Sequence, residues 1–240
     1  MVSFKEKERT EYIKTKTVII FMGKRYWEID VLRGVAVISM IAFHVLFDLN
    51  YFSIIEYSPS TFFAYIIASL FLLLVGISYT ISYNRDKKWK HHIKRGLKVF
   101  GWGIIITLIT WITFPKNVIL FGILHLIGLS IIIAYPLIKY KQKNLILGFV
   151  ILLTGIFLFP IIKPPFPTFD FFPILPWTGI ILIGMYIGHQ FYPKGKRTFK
   201  IVKKPNIIFE FFSVLGRNSL LIYLLHQPLL IAFIIVLMKF

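Results

Sequence analysis

Long apolar stretches alternate with short polar ones along most of the chain. Seven of these stretches are about as long as a bilayer crossing requires, because a helix rises about 1.5 Å per residue and the hydrocarbon core is about 30 Å thick. They cover residues 29–52, 61–83, 97–114, 118–138, 145–162, 174–191 and 218–238. A shorter apolar stretch, residues 207–215, predicts an amphipathic helix at the inner membrane surface. The pattern predicts an all-α integral membrane protein, a single bundle of about seven transmembrane helices.

The composition supports this prediction. Hydrophobic residues make up 57% of the 240 residues and charged residues only 16%, and a soluble domain of this size has no interior large enough to bury so much apolar surface. The chain contains no cysteine, which excludes disulfides, thiolate metal sites and a cysteine nucleophile.

The distribution of charge predicts the orientation in the membrane. The formal net charge is +18, and most Lys and Arg residues fall in alternate polar segments, namely residues 1–26, 84–98, 139–143 and 194–204. Because cytoplasmic loops are enriched in Lys and Arg, this places the N-terminus in the cytoplasm and accounts for the charge without nucleic-acid binding. We therefore divide the chain into a basic cytoplasmic leader, residues 1–26, and a transmembrane domain, residues 27–240.

The first predicted span carries four ionisable residues, Asp30, Arg33, His44 and Asp48. At about 100° per residue they fall within an arc of about 60°, so they share one helix face. Charged groups at membrane depth are costly and are usually functional. Since Asp48 lies one turn beyond His44, it could orient the imidazole as a general base.

Other polar residues occur within the predicted spans. His125 lies in the fourth span at a depth that could approach the level of His44, and Ser219, Tyr223 and His226 share one face of the last span. The structural alternative is that Asp30 and Arg33 pair with each other or with another helix end, that His44 only bonds a neighbouring carbonyl, and that His125 is structural. A second functional alternative is a transporter or flippase with an intramembrane proton relay. The sequence has no HxxH or HExxH spacing that would favour a metal site.

Five motifs, in this order, carry a resemblance to a known family. They are RYWEIDVLRGVAV, FHVLFDL, FGILHLIGLS, FDFFPILPWTGIILIGMYIG and LGRNSLLIYLLHQPLL. Across residues 25–230 the chain resembles the heparan-α-glucosaminide N-acetyltransferase-like catalytic family of membrane proteins. The spacing from Arg33 to His44 also resembles the signature of the broader membrane O-acyltransferase group.

The resemblance implies a multi-pass acyltransferase of the cell membrane. Such an enzyme takes an acyl group, usually acetyl, from cytoplasmic acyl-CoA and delivers it to a hydroxyl or amine of a sugar or glycan acceptor at the other face. It implies acyl-CoA as co-substrate, no tightly bound cofactor or metal, and a sugar or glycolipid acceptor as partner, and it leaves a homodimer open. By this resemblance, residues 27–240 form the transmembrane acyltransferase domain.

The resemblance also suggests roles for individual residues. His44 would be the general base or, alternatively, a transient acyl carrier, and Asp48 would orient it. His125 would assist as an oxyanion partner or would itself be the base, so the choice between His44 and His125 stays open. The residues expected to bind acyl-CoA or the acceptor are Asp30, Arg33, Arg217, Asn218, Ser219, Tyr223, His226, Asp170 and Trp177.

Overall fold

A computed structural model describes residues 25–158, 160–164, 166–200 and 206–238. This part of the chain forms eight α-helices, which confirms the predicted all-α class. They are α1 Trp27–Tyr51, α2 Thr61–Arg85, α3 Trp89–Thr113, α4 Ile123–Leu137, α5 Lys143–Leu158, α6 Ile174–Phe191, α7 Ile207–Arg217 and α8 Ser219–Leu237, with short 3-10 turns at Ile138–Tyr140 and Pro193–Gly195. Apart from Arg25 and Tyr26, the predicted leader lies outside the described residues.

The predicted multi-pass membrane character is confirmed. Six helical segments in the described ranges are long and apolar enough to cross a membrane: α1, α2, α3, α4 together with the 3-10 turn that follows it (Ile123–Tyr140, 18 residues), α6 and α8. Their most exposed side chains are apolar, for example Ile112 at 83%, as expected of a surface that faces lipid. Helix α5 is apolar but has 16 residues, about 24 Å of helix, which is shorter than the hydrocarbon core. The count of seven crossings and the cytoplasmic N-terminus therefore stay predictions.

The chain divides into two compact units. The first consists of Met1–Ser58 and Lys204–Phe240 and contains α1, α7 and α8. The second is Pro59–Lys203 and contains α2 to α6.

In the first unit, α1 packs against α7 through glycines that allow the two backbones to touch. A Cβ atom at Gly34 would collide with the backbone of Phe212, and a Cβ atom at Gly216 would collide with the backbone of Asp30. Small residues of this kind let membrane helices approach closely. The predicted helix 207–215 is present as α7, and its exposed side chains are mostly apolar.

In the second unit, α2 and α6 cross at glycines. The GxxxG pair of α6, Gly184 and Gly188, contacts α2 near Gly76 and Thr80, a close crossing of the kind that small residues allow. The Thr80 hydroxyl donates to the carbonyl of Met185 at 3.1 Å across the crossing. This contact holds the two helices in register.

Two helices of the second unit begin at positions that the apolar pattern did not predict. Helix α3 begins at Trp89 rather than 97, because the Lys-rich segment before the apolar stretch is itself helical and Lys and Arg are good helix formers. Helix α4 begins at Ile123 rather than 118. Its start is fixed by a hydrogen bond from the Ile123 N–H to the carboxylate of Asp170, at 3.0 Å.

Candidate functional site

The ionisable face of α1 is covered by protein, as the helical wheel predicts. Asp30 and Asp48 are 5% and 3% exposed, and the residues that α1 exposes most are apolar ones such as Leu32 and Leu46. The first half of this face meets α7 and the second half meets α8, which gives the face two distinct polar regions within the first unit.

The charges of three arginines act on Asp30 at the N-terminal end of α1. The Nη1 atom of Arg33 lies 3.2 Å from a carboxylate oxygen of Asp30, and the charges of Arg25 and Arg217 also act on this carboxylate. We use "arginine cluster" for Arg25, Arg33 and Arg217. Arg217 reaches this position because Gly216, directly before it, packs on the backbone of Asp30.

Asp48 has a different partner from the one predicted. The amide nitrogen of Gln227, on α8, donates to both carboxylate oxygens of Asp48 at 2.8 and 3.0 Å. Among the described residues, no hydrogen bond joins Asp48 to the imidazole of His44. The expected orienting contact is therefore absent from this part of the chain, and Asp48 instead ties α1 to α8 one turn beyond His44.

His44 faces another histidine. Its ring centroid lies 5.0 Å from that of His226, on α8, and the two planes are inclined by 58°. We call these residues the histidine pair. One ring nitrogen of each, Nδ1 of His44 and Nε2 of His226, is buried and has no hydrogen-bond partner among the described residues. Buried polar atoms are nearly always bonded, so such atoms mark a place where a ligand or water binds.

The tautomer of His226 follows from the hydrogen bonding of its Nδ1 atom. Its Nδ1 atom lies 2.7 Å from the carbonyl oxygen of Tyr223. A carbonyl can only accept, so Nδ1 carries the hydrogen, and in the neutral ring Nε2 is left with a lone pair. The side-chain oxygen of Gln227 is also buried without a partner among the described residues. The unpartnered atoms of α8 beside His44, Nε2 of His226 and the side-chain oxygen of Gln227, are therefore both acceptors.

The remaining predicted residues of the first unit lie at the junction of α7 and α8. Asn218 separates the two helices and donates its side-chain N–H to the carbonyl of Val214 at 2.9 Å. Ser219 is the first residue of α8, one turn before Tyr223. These residues follow Arg217, a member of the arginine cluster, and precede His226 of the histidine pair along the chain.

His125 belongs to the second unit, and hydrogen bonds account for both of its ring nitrogens. Nδ1 accepts the N–H of Gly122 at 3.2 Å, so Nε2 carries the hydrogen and donates to the hydroxyl of Thr107 at 3.4 Å. The Thr107 hydroxyl in turn donates to the carbonyl of Ile119 at 2.6 Å. His125 thus caps the start of α4. Its predicted approach to His44 concerns two separate units and stays a prediction.

Asp170 caps the same helix end. Its carboxylate accepts the Ile123 N–H, and burial raises the pKa of Asp170 to about 6, although that hydrogen bond acts in the opposite direction. Trp177 is 4% exposed and packs its ring on Phe172 at a centroid distance of 4.8 Å. Its indole Nε1 has no partner among the described residues.

Sequence reasoning missed three residues that build the first unit's polar regions. Gln227 is uncharged, so only its position beside His226 hinted at a role. Gly34 and Gly216 carry no chemistry, and their importance appears only when the two helices meet. Within the described ranges, no three His, Asp or Glu side chains lie close enough together to hold a metal ion.

Comparison with known proteins gives one result. Residues 25–228 match the family model described as heparan-alpha-glucosaminide N-acetyltransferase, catalytic. No curated protein and no solved structure matches the chain. The match spans most of the chain, from just before α1 to the middle of α8, and includes both polar regions of the first unit. The chain therefore belongs to the heparan-alpha-glucosaminide N-acetyltransferase catalytic family, and it is a multi-pass membrane protein of an acetyltransferase family.

Proposed function

We propose that this protein transfers an acetyl group from cytoplasmic acetyl-CoA to an acceptor sugar at the opposite membrane face, with His44 as the general base. The observation that carries the proposal is the buried, unpartnered Nδ1 of His44 beside His226. Imidazole is the side chain best suited to exchange protons near neutral pH. Family membership supplies the reaction class.

The reaction balances without a metal or an oxidant. The acceptor nitrogen or oxygen attacks the thioester carbonyl carbon, and the carbon–sulfur bond breaks. His44 takes the proton that the acceptor loses, and that proton then passes to the departing CoA thiolate. The products are the acetylated acceptor and CoA, and His44 returns to its neutral form.

The open hydrogen-bonding atoms favour an amine acceptor over a hydroxyl. The side-chain oxygen of Gln227 is buried and can only accept, and the carboxylate of Asp48, which also only accepts, lies beside it. An amine offers two or three hydrogens to such acceptors, whereas a hydroxyl offers one. We infer an amino sugar as the acceptor.

The arginine cluster is the proposed site for the phosphates of CoA. Guanidinium groups match the geometry of phosphate oxygens and stay charged at all relevant pH values. Arg33 and His44 are eleven residues apart on one helix, which corresponds to about 16 Å along the axis. The pantetheine arm would span this distance along α1, past the junction residues Asn218, Ser219 and Tyr223.

The experiment measures acetyl transfer by the purified protein in lipid nanodiscs, with acetyl-CoA and an amino sugar. His44→Ala should lower the rate by about 10²-fold or more, because a positioned base contributes that much. His91→Ala is the matched control, since that histidine is exposed and lies outside the site. Full activity of His44→Ala would refute the role of His44.

A binding measurement tests the CoA site separately. CoA should raise the melting temperature of the wild type, because a ligand that binds only the folded state stabilises it. Arg33→Gln and Arg217→Gln should weaken this shift, whereas His44→Ala should keep it. If CoA raised the melting temperature of the two Arg variants as much as that of the wild type, the phosphate site would lie elsewhere in the protein.

A further inference from the structure

His226 is placed to act on His44 rather than on a substrate. The ring of His226 is 8% exposed and faces the ring of His44 from the neighbouring helix. Its Nδ1–H is fixed by the carbonyl of Tyr223, which leaves the Nε2 lone pair open and buried. A buried acceptor without a donor is unfavourable unless a donor arrives during the working cycle.

We propose that His226 is a positioning residue whose Nε2 accepts a hydrogen bond from His44 whenever His44 carries the proton taken from the acceptor. This inference rests on the proposed function, because it assigns a partner to the proposed base. A protonated imidazole inside a bundle needs an acceptor for its added hydrogen. His226 supplies a neutral acceptor whose tautomer is already set.

The neighbouring contacts explain why the partner of the proposed base is a histidine, where a carboxylate is usual. Asp48, the carboxylate closest along α1, is held by the amide of Gln227 at both oxygens and has no bond to His44 in the described structure. The same amide anchors α8 to α1 one residue after His226. This anchor keeps the rings of His44 and His226 side by side and leaves Nδ1 of His44 and Nε2 of His226 open.

A purely structural reading makes Nδ1, rather than Nε2, the nitrogen that matters. In that reading His226 serves α8 only, through the bond from Nδ1 to the carbonyl of Tyr223, and Nε2 is irrelevant. The two readings can be separated because Asn and Gln each reproduce one nitrogen of the imidazole. The amide nitrogen of Asn replaces the Nδ1 donor, and the amide oxygen of Gln reaches the place of the Nε2 acceptor.

The test compares His226→Asn, His226→Gln and His226→Phe in nanodiscs, with kcat and KM measured for acetyl-CoA and an amino sugar. We expect Asn and Phe to lower kcat by about 10- to 100-fold, with KM for acetyl-CoA changed less than about threefold. Gln should restore kcat to within about fivefold of the wild type. Rescue by Asn but not by Gln, or an unchanged kcat in all three, would overturn the proposal.

A double variant separates this inference from the proposed function. If His226 acts through His44, then His226→Asn should cause no further loss of kcat in a His44→Ala background. Additive losses would show that His226 acts independently and would overturn the inference while leaving His44 as the base. If His44→Ala alone is fully active, the proposed function fails first, and the inference fails with it.

Discussion

The two units of this protein each place a histidine within a predicted membrane span, but the hydrogen bonding of the two residues differs. In His125 both ring nitrogens have partners, a backbone N–H and a threonine hydroxyl. In His44, Nδ1 is buried and open, and the ring faces a second histidine with an open nitrogen. The two rings therefore differ in what they leave open: His125 has no open ring nitrogen in the described structure, whereas His44 has one, Nδ1.

This difference bears on a choice that the sequence left open. Both histidines were candidates for the general base. A base must have a free lone pair within reach of its substrate, and the lone pair of His125 already accepts the N–H of Gly122. We therefore propose His44 as the base and assign His125 to the stability of the second unit.

Replacing His125 should produce the largest loss of stability. His125→Ala removes the cap of α4 and leaves a void between the rings of Phe100 and Phe121, which pack on either side of the imidazole. We expect a loss of about 2–4 kcal/mol in the free energy of unfolding, measured by denaturant titration in detergent. His44→Ala should cost far less stability and far more activity.

The control for this prediction is His125→Asn, whose side-chain oxygen can accept the Gly122 N–H. It should recover about half of the lost stability, because it restores the cap but not the ring packing. A variant His125→Asn that is stable yet inactive would contradict the comparison, since it would show that the imidazole itself serves the reaction.

An intermediate effect is expected at the bond between α1 and α8. Gln227→Leu removes both donors from Asp48, which is 3% exposed. The loss should be about 1–3 kcal/mol, because a buried carboxylate would lose its partner. Asp48→Leu combined with Gln227→Leu should recover much of that stability, since no buried polar group then remains unpaired. Equal losses in the single and double variants would indicate that the bond contributes nothing.

The positions of the spans could be predicted from the sequence because hydropathy over some twenty residues is a local property. The ionisable face of α1 was also predictable, since four residues at helical spacing define it. The start of α4 was not, because its cap, Asp170, lies 47 residues away along the chain. The partner of Asp48 could not be predicted either, since Gln227 is 179 residues away and carries no charge.

The same reasoning explains why the close approach of α7 to α1 was missed. The sequence shows that residues 207–215 are apolar and too short to cross, but contact of two backbones depends on which glycines meet. Nothing in the local sequence marks Gly34 and Gly216, and their role appears only in the contact between the two helices. The approach of the two helices places the charge of Arg217 where it acts on Asp30. The arginine cluster could therefore not be predicted from the spacing of residues along the sequence.

A pH dependence of similar size is expected at Asp170, which lies outside the predicted spans. Its folded pKa of about 6 exceeds the usual 3.8, so between these values the folded state holds a proton that the unfolded state has lost. The stability that this group contributes should therefore fall as pH rises from about 4 to about 6, by about 1–3 kcal/mol. Asp170→Asn cannot titrate and keeps an acceptor for the Ile123 N–H, so its denaturant midpoint should lack this pH dependence.

Asp86→Asn is the matched control, because the Lys88 N–H lowers the pKa of the exposed Asp86 and the contribution of Asp86 to stability should instead be lost as pH falls. If Asp170→Asn also abolished acetyl transfer at unchanged stability, the second unit would hold more than a structural cap, and the contrast between the two histidines would need revision.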